Sequence, residues 1–317
     1  MSKTIFFSIR NLCFATALAV CLFTSPGYSA QFGFAVITDS HIDGTASHQD
    51  KLQTAVKWII ANKSVNHIEL VFVLGDIGWG GTNMATAKGI LDQLNNAGVP
   101  YVPLIGDNER SVDSEFNTTF SPQYAYISNF SGATGWSKAP LPVNGKYLQN
   151  FSFDYKGVHF VCPDFSPRTA GIECAELHDY TGGSWPWFTN DIANCAKPKH
   201  ENIIMMTHIP IYRTGFAMAD QYLIKAADLD KVRAFAKTYK NYIANNYSGH
   251  IHCNFSQSVG ETSSWFSPAI YWGYTTDETW DGRISTEASE TGCTVRWVSV
   301  NNDPTWPVYT EHIVDAD

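Results

Sequence analysis

The sequence predicts an α/β fold in which two sheets pack face to face with helices outside. Three observations carry this. Strand, helix, strand, helix and strand alternate between Phe32 and Ile105, which implies parallel pairing through right-handed crossovers. The second half turns instead to hairpins and short strands, which suits a second sheet of mixed direction. A chain of 317 residues with 44% hydrophobic content can also bury one large core or two modest ones.

The first thirty residues stand outside that fold. Lys3 and Arg10 give a basic start, Leu12 to Phe23 is nearly continuously apolar, and the run breaks at Ser25-Pro26-Gly27 before ending on Ser29-Ala30. This reads as a secretory signal peptide over residues 1–30, with export to the periplasm or the exterior. The rival, a membrane anchor, needs about 20 apolar residues, more than this run contains. No later stretch is apolar enough to span a membrane. With no linker, repeat or low-complexity tract, residues 31–317 are expected to form one domain.

Phe32 to Thr38 is a short apolar run and reads as a buried strand. Leu52, Val56, Ile59 and Ile60 recur at helical spacing, giving a helix over Gln49 to Asn62. Ile68 to Leu74 is the second strand, Ala87, Ile90, Leu91 and Leu94 mark the second helix, and Val99 to Ile105 is the third strand. From Asp113 to Asn150 no clear period emerges, so the segment reads as a long loop, with Tyr124, Tyr126 and Trp136 either rimming a site or packing the loop down. Tyr147 to Tyr155 and Val158 to Cys162 form a hairpin around Lys156-Gly157. Trp187 to Cys195 is helical, Ile203 to Met206 is a buried strand and Ala226 to Tyr239 a helix. Thr294 to Asn301 and Val308 to Val314 are strands.

Charge and cysteines bound the chemistry. Removing Lys3 and Arg10 with the leader leaves 19 basic against 30 acidic residues, a net charge of −11. Such a surface repels polyanions, which argues against gripping a nucleic-acid backbone. A mature chain would keep Cys162, Cys174, Cys195, Cys253 and Cys293, an odd number. Export makes a disulfide plausible, and Cys174–Cys195 is the expected pair. No C-x-x-C pair occurs, so a zinc–thiolate site is not expected.

Four short motifs close the hydrophobic strands: Asp39-Ser40-His41, Gly75-Asp76, Gly106-Asp107-Asn108-Glu109 and Gly249-His250-Ile251-His252, with His208 between the last two. In open α/β sheets, ligands collect beyond the carboxyl ends of the strands. If the backbone stays extended after the first strand, Asp39 and His41 leave it on the same side and can share one metal. Asp76 offers two oxygens and is the candidate bridge between two cations. Gly249 permits close backbone approach beside the paired histidines. The first two motifs are weak alone, because turns recruit aspartate; the paired histidines of the last are stronger, although a lone histidine is more often structural. The ordered series is specific.

That series resembles the calcineurin-like metallophosphoesterases over roughly Phe32 to His252. The resemblance implies a four-layer αββα sandwich of two mixed sheets and hydrolysis of a phosphate ester or anhydride by a dinuclear metal centre with a metal-bridging hydroxide nucleophile. It implies that Asp39, His41, Asp76 and His252 hold one metal, and that Asp76, Asp107, His208 and His250 hold the other. Oxygen and nitrogen donors suit Mn, Fe or Zn better than calcium. The family usually shows Gly-Asn-His followed by Glu or Asp, where Asn is a ligand and His assists the leaving group. Here direct alignment makes Asp107 the ligand and Asn108 the catalytic replacement, whereas a one-residue shift makes Asn108 the ligand. An amide cannot act as a general acid but can hydrogen-bond a phosphate oxygen. The substrate is then a small phosphorylated molecule whose leaving group needs little protonation, or His48 or His178 supplies the proton. Arg213, and secondly Arg110, are candidate phosphate binders. The alternative is a non-catalytic protein that binds metal and phosphate on the same fold.

Overall fold

The computed structural model describes residues 31–195, 202–212, 221–252, 255–256, 274–275, 293–301 and 307–316. The leader, Arg213 and Cys253 lie outside the described residues. In chain order the elements begin with β1 (Phe32–Ile37), α1 (Ala46–Asn62), β2 (Ile68–Val73), α2 (Gly80–Asn96), β3 (Tyr101–Pro103) and α3 (Asp113–Ser128). They continue with β4 (Ala133–Lys138), β5 (Phe151–Tyr155), β6 (Val158–Cys162), α4 (Ser184–Asn194) and β7 (Ile203–Met206). α5 (Ala226–Tyr239), β8 (Ile243–Ser248), β9 (Phe255–Ser256), β10 (Tyr274–Thr275), β11 (Thr294–Asn301) and β12 (Val308–Asp315) complete them.

Two mixed sheets result. The first runs β12-β11-β1-β2-β3, with β1, β2 and β3 parallel and β11 antiparallel to both β1 and β12. The second runs β4-β5-β6-β7-β8-β10-β9, parallel from β6 through β8 to β10 and antiparallel at both margins. Aromatic rings join the sheets. Phe34 of β1 meets Phe160 of β6 edge-on at 5.5 Å and Tyr247 of β8 at 5.7 Å, while Phe72 of β2 stacks on Phe153 of β5 at 6.2 Å. Such offset and edge contacts add to the burial of large apolar surface.

Strand β7 shows why its sequence is apolar at every position. Ile204 and Met206 belong to the core between the sheets, and Ile203 and Met205 to a second cluster with Phe188 and Ile192 of α4 and Val232 and Phe235 of α5. A strand covered on both faces has no polar face to show. On the other side, α1 buries Leu52, Val56 and Ile59, and α2 buries Met84, Leu91 and Leu94. Helices thus cover both sheets, as the sequence predicts.

Three expectations need correction. The segment after Asp113 is helical, not a loop, as far as Ser128, with Pro122 inside it. Its buried stripe is Phe116, Phe120, Tyr124 and Ile127, a helical spacing obscured by the proline and the polar residues between. Of the two readings of its aromatics, packing holds for Tyr124, which donates its hydroxyl to Pro103 O at 2.9 Å, and for Trp136, which stacks on Phe151 at 5.5 Å. Helix α1 starts at Ala46, three residues before the expected Gln49. Cys174 and Cys195 are free thiols rather than a disulfide. Cys195 caps α4 beside His159, whereas Cys174 lies in the loop facing Lys225.

His159 fastens the β5–β6 hairpin to α4. Its Nδ1 meets Asp154 at 2.7 Å and its Nε2 meets Asp191 at 2.9 Å, while Ser152 donates to the other Asp191 oxygen. Burial alone would lower the imidazole, but the two carboxylates outweigh it and raise its pKa to about 11. A raised folded-state pKa gives stability that is full below the ordinary imidazole value of about 6.5 and is lost as pH climbs through the folded value. His159→Gln is expected to cost about 3 kcal/mol at pH 7, the lower end for breaking a buried pair, because Asp154 is partly open to water. Urea denaturation from pH 6 to pH 10 checks this. The deficit should shrink toward the alkaline end, and a pH-independent deficit would point to lost packing instead.

Candidate metal centre

The four motifs converge where β1, β2, β3 and β8 end, beside the turn after β7. Asp39, His41 and His252 form one group of donor atoms lying within 4.8 Å of one another, and Asp107, His208 and His250 form a second. Asp39, Asp76 and His208 form a third, overlapping group. Asp76 lies between the first two. Its Oδ2 is 3.8 Å from His41 Nε2, and its Oδ1 is 3.3 Å from His208 Nε2. In the first group, His41 Nε2 and His252 Nε2 face each other at 3.2 Å, and Asp39 Oδ1 is 3.6 Å from His252. In the second, one oxygen of Asp107 lies 3.0 Å from both His208 Nε2 and His250 Nδ1. All seven candidate ligands of the sequence reading are therefore brought together.

The route by which they converge differs from expectation. Asp39 and His41 are not extended: their φ angles are 53° and 45°, in the left-handed region. Asp76, His250 and His252 share it, at 47°, 74° and 50°. Non-glycine residues rarely adopt this conformation, and it concentrates at functional sites. Backbone hydrogen bonds hold the first turn in place, from Asp39 N–H to Gly75 O at 3.1 Å and from His41 N–H to Asp76 O at 2.9 Å.

Glycines make the crowding possible. A Cβ on Gly249 would sit 2.1 Å from Thr38 Oγ1 and 2.3 Å from Asp39 Oδ2. One on Gly106 would sit 2.0 Å from Asp76 Oδ1. These are collisions with the candidate ligands themselves, so close approach, not loop freedom, is what requires glycine here.

Neighbouring groups orient the ligands. His208 donates Nδ1–H to Leu74 O at 2.7 Å, leaving Nε2 facing Asp76 and Asp107. His250 donates Nε2–H to Tyr222 O at 3.1 Å, leaving Nδ1 for the cluster. Such outer contacts fix the tautomer and ring angle of a metal ligand. Burial pushes the Asp39 carboxyl up, yet the His252 hydrogen bond and the surrounding imidazoles hold it well below the usual carboxylate range. Asp107 is held low in the same way by His208 and His250, against its burial. For His208, burial favours the neutral ring, but Asp76 and Asp107 overcome it and raise the pKa well above normal. Three carboxylates among four imidazoles are a donor set that fits a pair of borderline divalent ions.

Asn108 leans on Asp76, the candidate bridge. Its backbone N–H donates to Asp76 Oδ1 at 2.9 Å, and its amide Nδ2 touches Asp76 Oδ2 and, at 3.2 Å, His41 Nδ1. Asp107, rather than Asn108, is the residue that meets His208 and His250. The other candidates stand aside. His48 donates Nδ1–H to His41 O at 2.8 Å, His178 donates Nε2–H to Ser166 O at 2.9 Å, and Arg110 donates Nη1–H to Ile172 O at 2.7 Å.

Two contributors escaped the sequence reading. Glu109 is fully buried and accepts backbone N–H bonds from Gly78 at 2.9 Å and Gly106 at 2.7 Å, clamping the second motif loop to the third. Burial, then the charge of Asp76, pushes its carboxyl up to about 8. Its only sequence signal was its place at the end of the third motif. Thr38 donates Oγ1–H to Asp39 Oδ2 at 2.6 Å, and nothing in the sequence marked it.

Comparison with known proteins follows the same line. The calcineurin-like phosphoesterase family model matches residues 32–254. Among solved structures, a dimetal phosphatase from Danio rerio superposes with a TM-score of 0.52 at 12% identity, covering 90% of this chain and 99% of that one. The protein TT1561 of Thermus thermophilus gives 0.51 at 9% identity, covering 91% and 100%. At such identities the likeness is one of fold. No curated protein sequence matches the chain.

Proposed function

Because the chain belongs to the calcineurin-like phosphoesterase family, we propose that it hydrolyses a phosphate ester or anhydride of a small molecule at a dinuclear centre. The observation that carries this is Asp76, one carboxylate whose two oxygens face two separate ligand groups. Asp39, His41 and His252 would hold one ion and Asp107, His208 and His250 the other, with Asp76 shared; Mn, Fe or Zn fit the donor set. Bound there, the ions supply the Lewis acidity that polarises a phosphoryl oxygen and activates water as the nucleophile.

The protein's own part is placement. Leu74 O and Tyr222 O hold His208 and His250 with their free nitrogens inward. Glu109 keeps the loops of Asp76 and Asp107 at fixed separation through its two backbone hydrogen bonds. Asn108, half-buried on the bridging carboxylate, has an amide suited to donating to a phosphate oxygen. It cannot protonate a departing alkoxide, so phosphoanhydrides and aryl esters are the favoured substrates. We also propose export, on the leader-like composition of residues 1–30.

Asn108 also favours a second reading, a protein that binds metal and phosphate without turnover. Hydrolysis of p-nitrophenyl phosphate, bis-p-nitrophenyl phosphate and ATP by protein loaded with Mn, Fe or Zn separates the two. Turnover that a chelator abolishes and added metal restores is the expected result. Two bound metals per chain with no turnover would leave the binding reading, and no bound metal would overturn both.

A further inference from the structure

Beside the Asp107–His208–His250 group lies a cavity of about 300 Å3, in the size range of small-ligand pockets. One wall is the loop carrying Ile172, Glu173 and Cys174, and the other carries Tyr222 and Lys225. The walls are joined to each other by the bridge between Ala175 and Ile224, where Ala175 N–H donates to Leu223 O at 2.6 Å. Each is also tied to the proposed metal centre. Tyr222 O accepts from His250 Nε2 at 3.1 Å, and Ile172 O accepts from Arg110, two residues past Asn108, at 2.7 Å. The cavity is therefore part of the same construction as the second ligand group.

Its lining has a distinct chemistry. Tyr222 is 41% exposed. Ile172 and Cys174 are half-buried. Lys225 is also half-buried, and no carboxylate among the described residues pairs with it, although the chain carries nine more acidic than basic groups. Glu173 is exposed, where water screens its charge. An aromatic face beside an unpaired ammonium suits a planar group with a negative substituent.

We infer that this cavity receives the leaving group of the substrate and selects a planar group bearing an additional negative charge, with Tyr222 as the contact face and Lys225 as the counter-ion. The inference rests on the phosphoesterase reading and adds to it the substrate's organic part.

The test compares kcat/KM for 4-carboxyphenyl phosphate and 4-(aminomethyl)phenyl phosphate in metal-loaded wild type, Lys225→Glu and Lys57→Glu. The last makes the same charge change at an exposed site on α1. A preference of about 10-fold for the carboxylated ester is expected in wild type and Lys57→Glu, reversed in Lys225→Glu. Tyr222→Ala should raise KM for the aryl esters relative to methyl phosphate by about 10-fold, with kcat little changed. A wild-type ratio that survives Lys225→Glu, or equal losses on aryl and methyl phosphate in Tyr222→Ala, would overturn the inference. Should no ester be hydrolysed, the phosphoesterase reading fails separately. Calorimetry with the corresponding arylphosphonates then decides: a carboxylate preference inverted by Lys225→Glu supports the pocket, and equal or absent binding overturns it.

Discussion

Replacing Asp76 by asparagine is expected to reduce bound metal from two ions per chain to one at most, and hydrolysis by about 10³-fold or more, the scale on which losing a group that stabilises transition-state charge is felt. The side chain keeps its shape but loses its charge and one of its two carboxylate oxygens. Asp76 Oδ2 faces His41 and Oδ1 faces His208, so the loss falls on the contact between the two ligand groups rather than on either alone. Metal analysis and p-nitrophenyl phosphate turnover, measured on the same preparation, check both halves. Thermal unfolding of the metal-free forms, measured beside these, separates loss of metal from loss of the buried Asp76–His208 contact. Full metal content with full turnover would sink the assignment of Asp76 as the bridge.

Asn108→His is expected to act selectively. The residue sits on Asp76, the proposed bridge, and is half-buried, so an imidazole at this position would be near the proposed reaction yet open to solvent. An imidazole can donate a proton near neutral pH where a primary amide cannot, and such an acid contributes about 10²–10⁴-fold. The gain should appear on alkyl esters, whose leaving oxygen needs the proton, and be slight on p-nitrophenyl phosphate. Its pH profile should fall as pH rises through the new imidazole's pKa, because the acid must be protonated. A variant that gains turnover where wild type has none would favour the binding-protein reading for the natural chain. Equal changes on both ester types would show that position 108 does not serve the leaving group.

The parallel half of the fold was legible because fully buried strands leave continuous apolar runs, as in Val71-Phe72-Val73-Leu74, and because α1 and α2 each carry one clear apolar face. The candidate ligands were legible for a related reason: a parallel sheet delivers every strand's end to the same side, so motifs far apart in sequence had one place to meet. What escaped was set by distant partners. The turn at Asp39 and His41 is closed by carbonyls of Gly75 and Asp76, more than thirty residues on, so a local rule of strand alternation misread it. Glu109 acts on Gly78, and its role exists only once two loops are adjacent. Helix α3 was hidden by Pro122 and its polar surroundings, although Phe116, Phe120 and Tyr124 recur every four residues.

Five of the nine non-glycine residues with positive φ among the described residues are candidate metal ligands. A left-handed conformation costs an ordinary residue on the order of 1 kcal/mol, a cost these loops carry in holding the candidate ligands together. The aromatic core beneath them is the rigid counterpart. Thermal or chemical stress should therefore open the ligand loops before the sheets separate. Amide hydrogens of Asp39, His41 and His250 would exchange through a local opening while those of β1 and β2 wait for global unfolding. A protein of this design can lose its chemistry while its sheets remain folded.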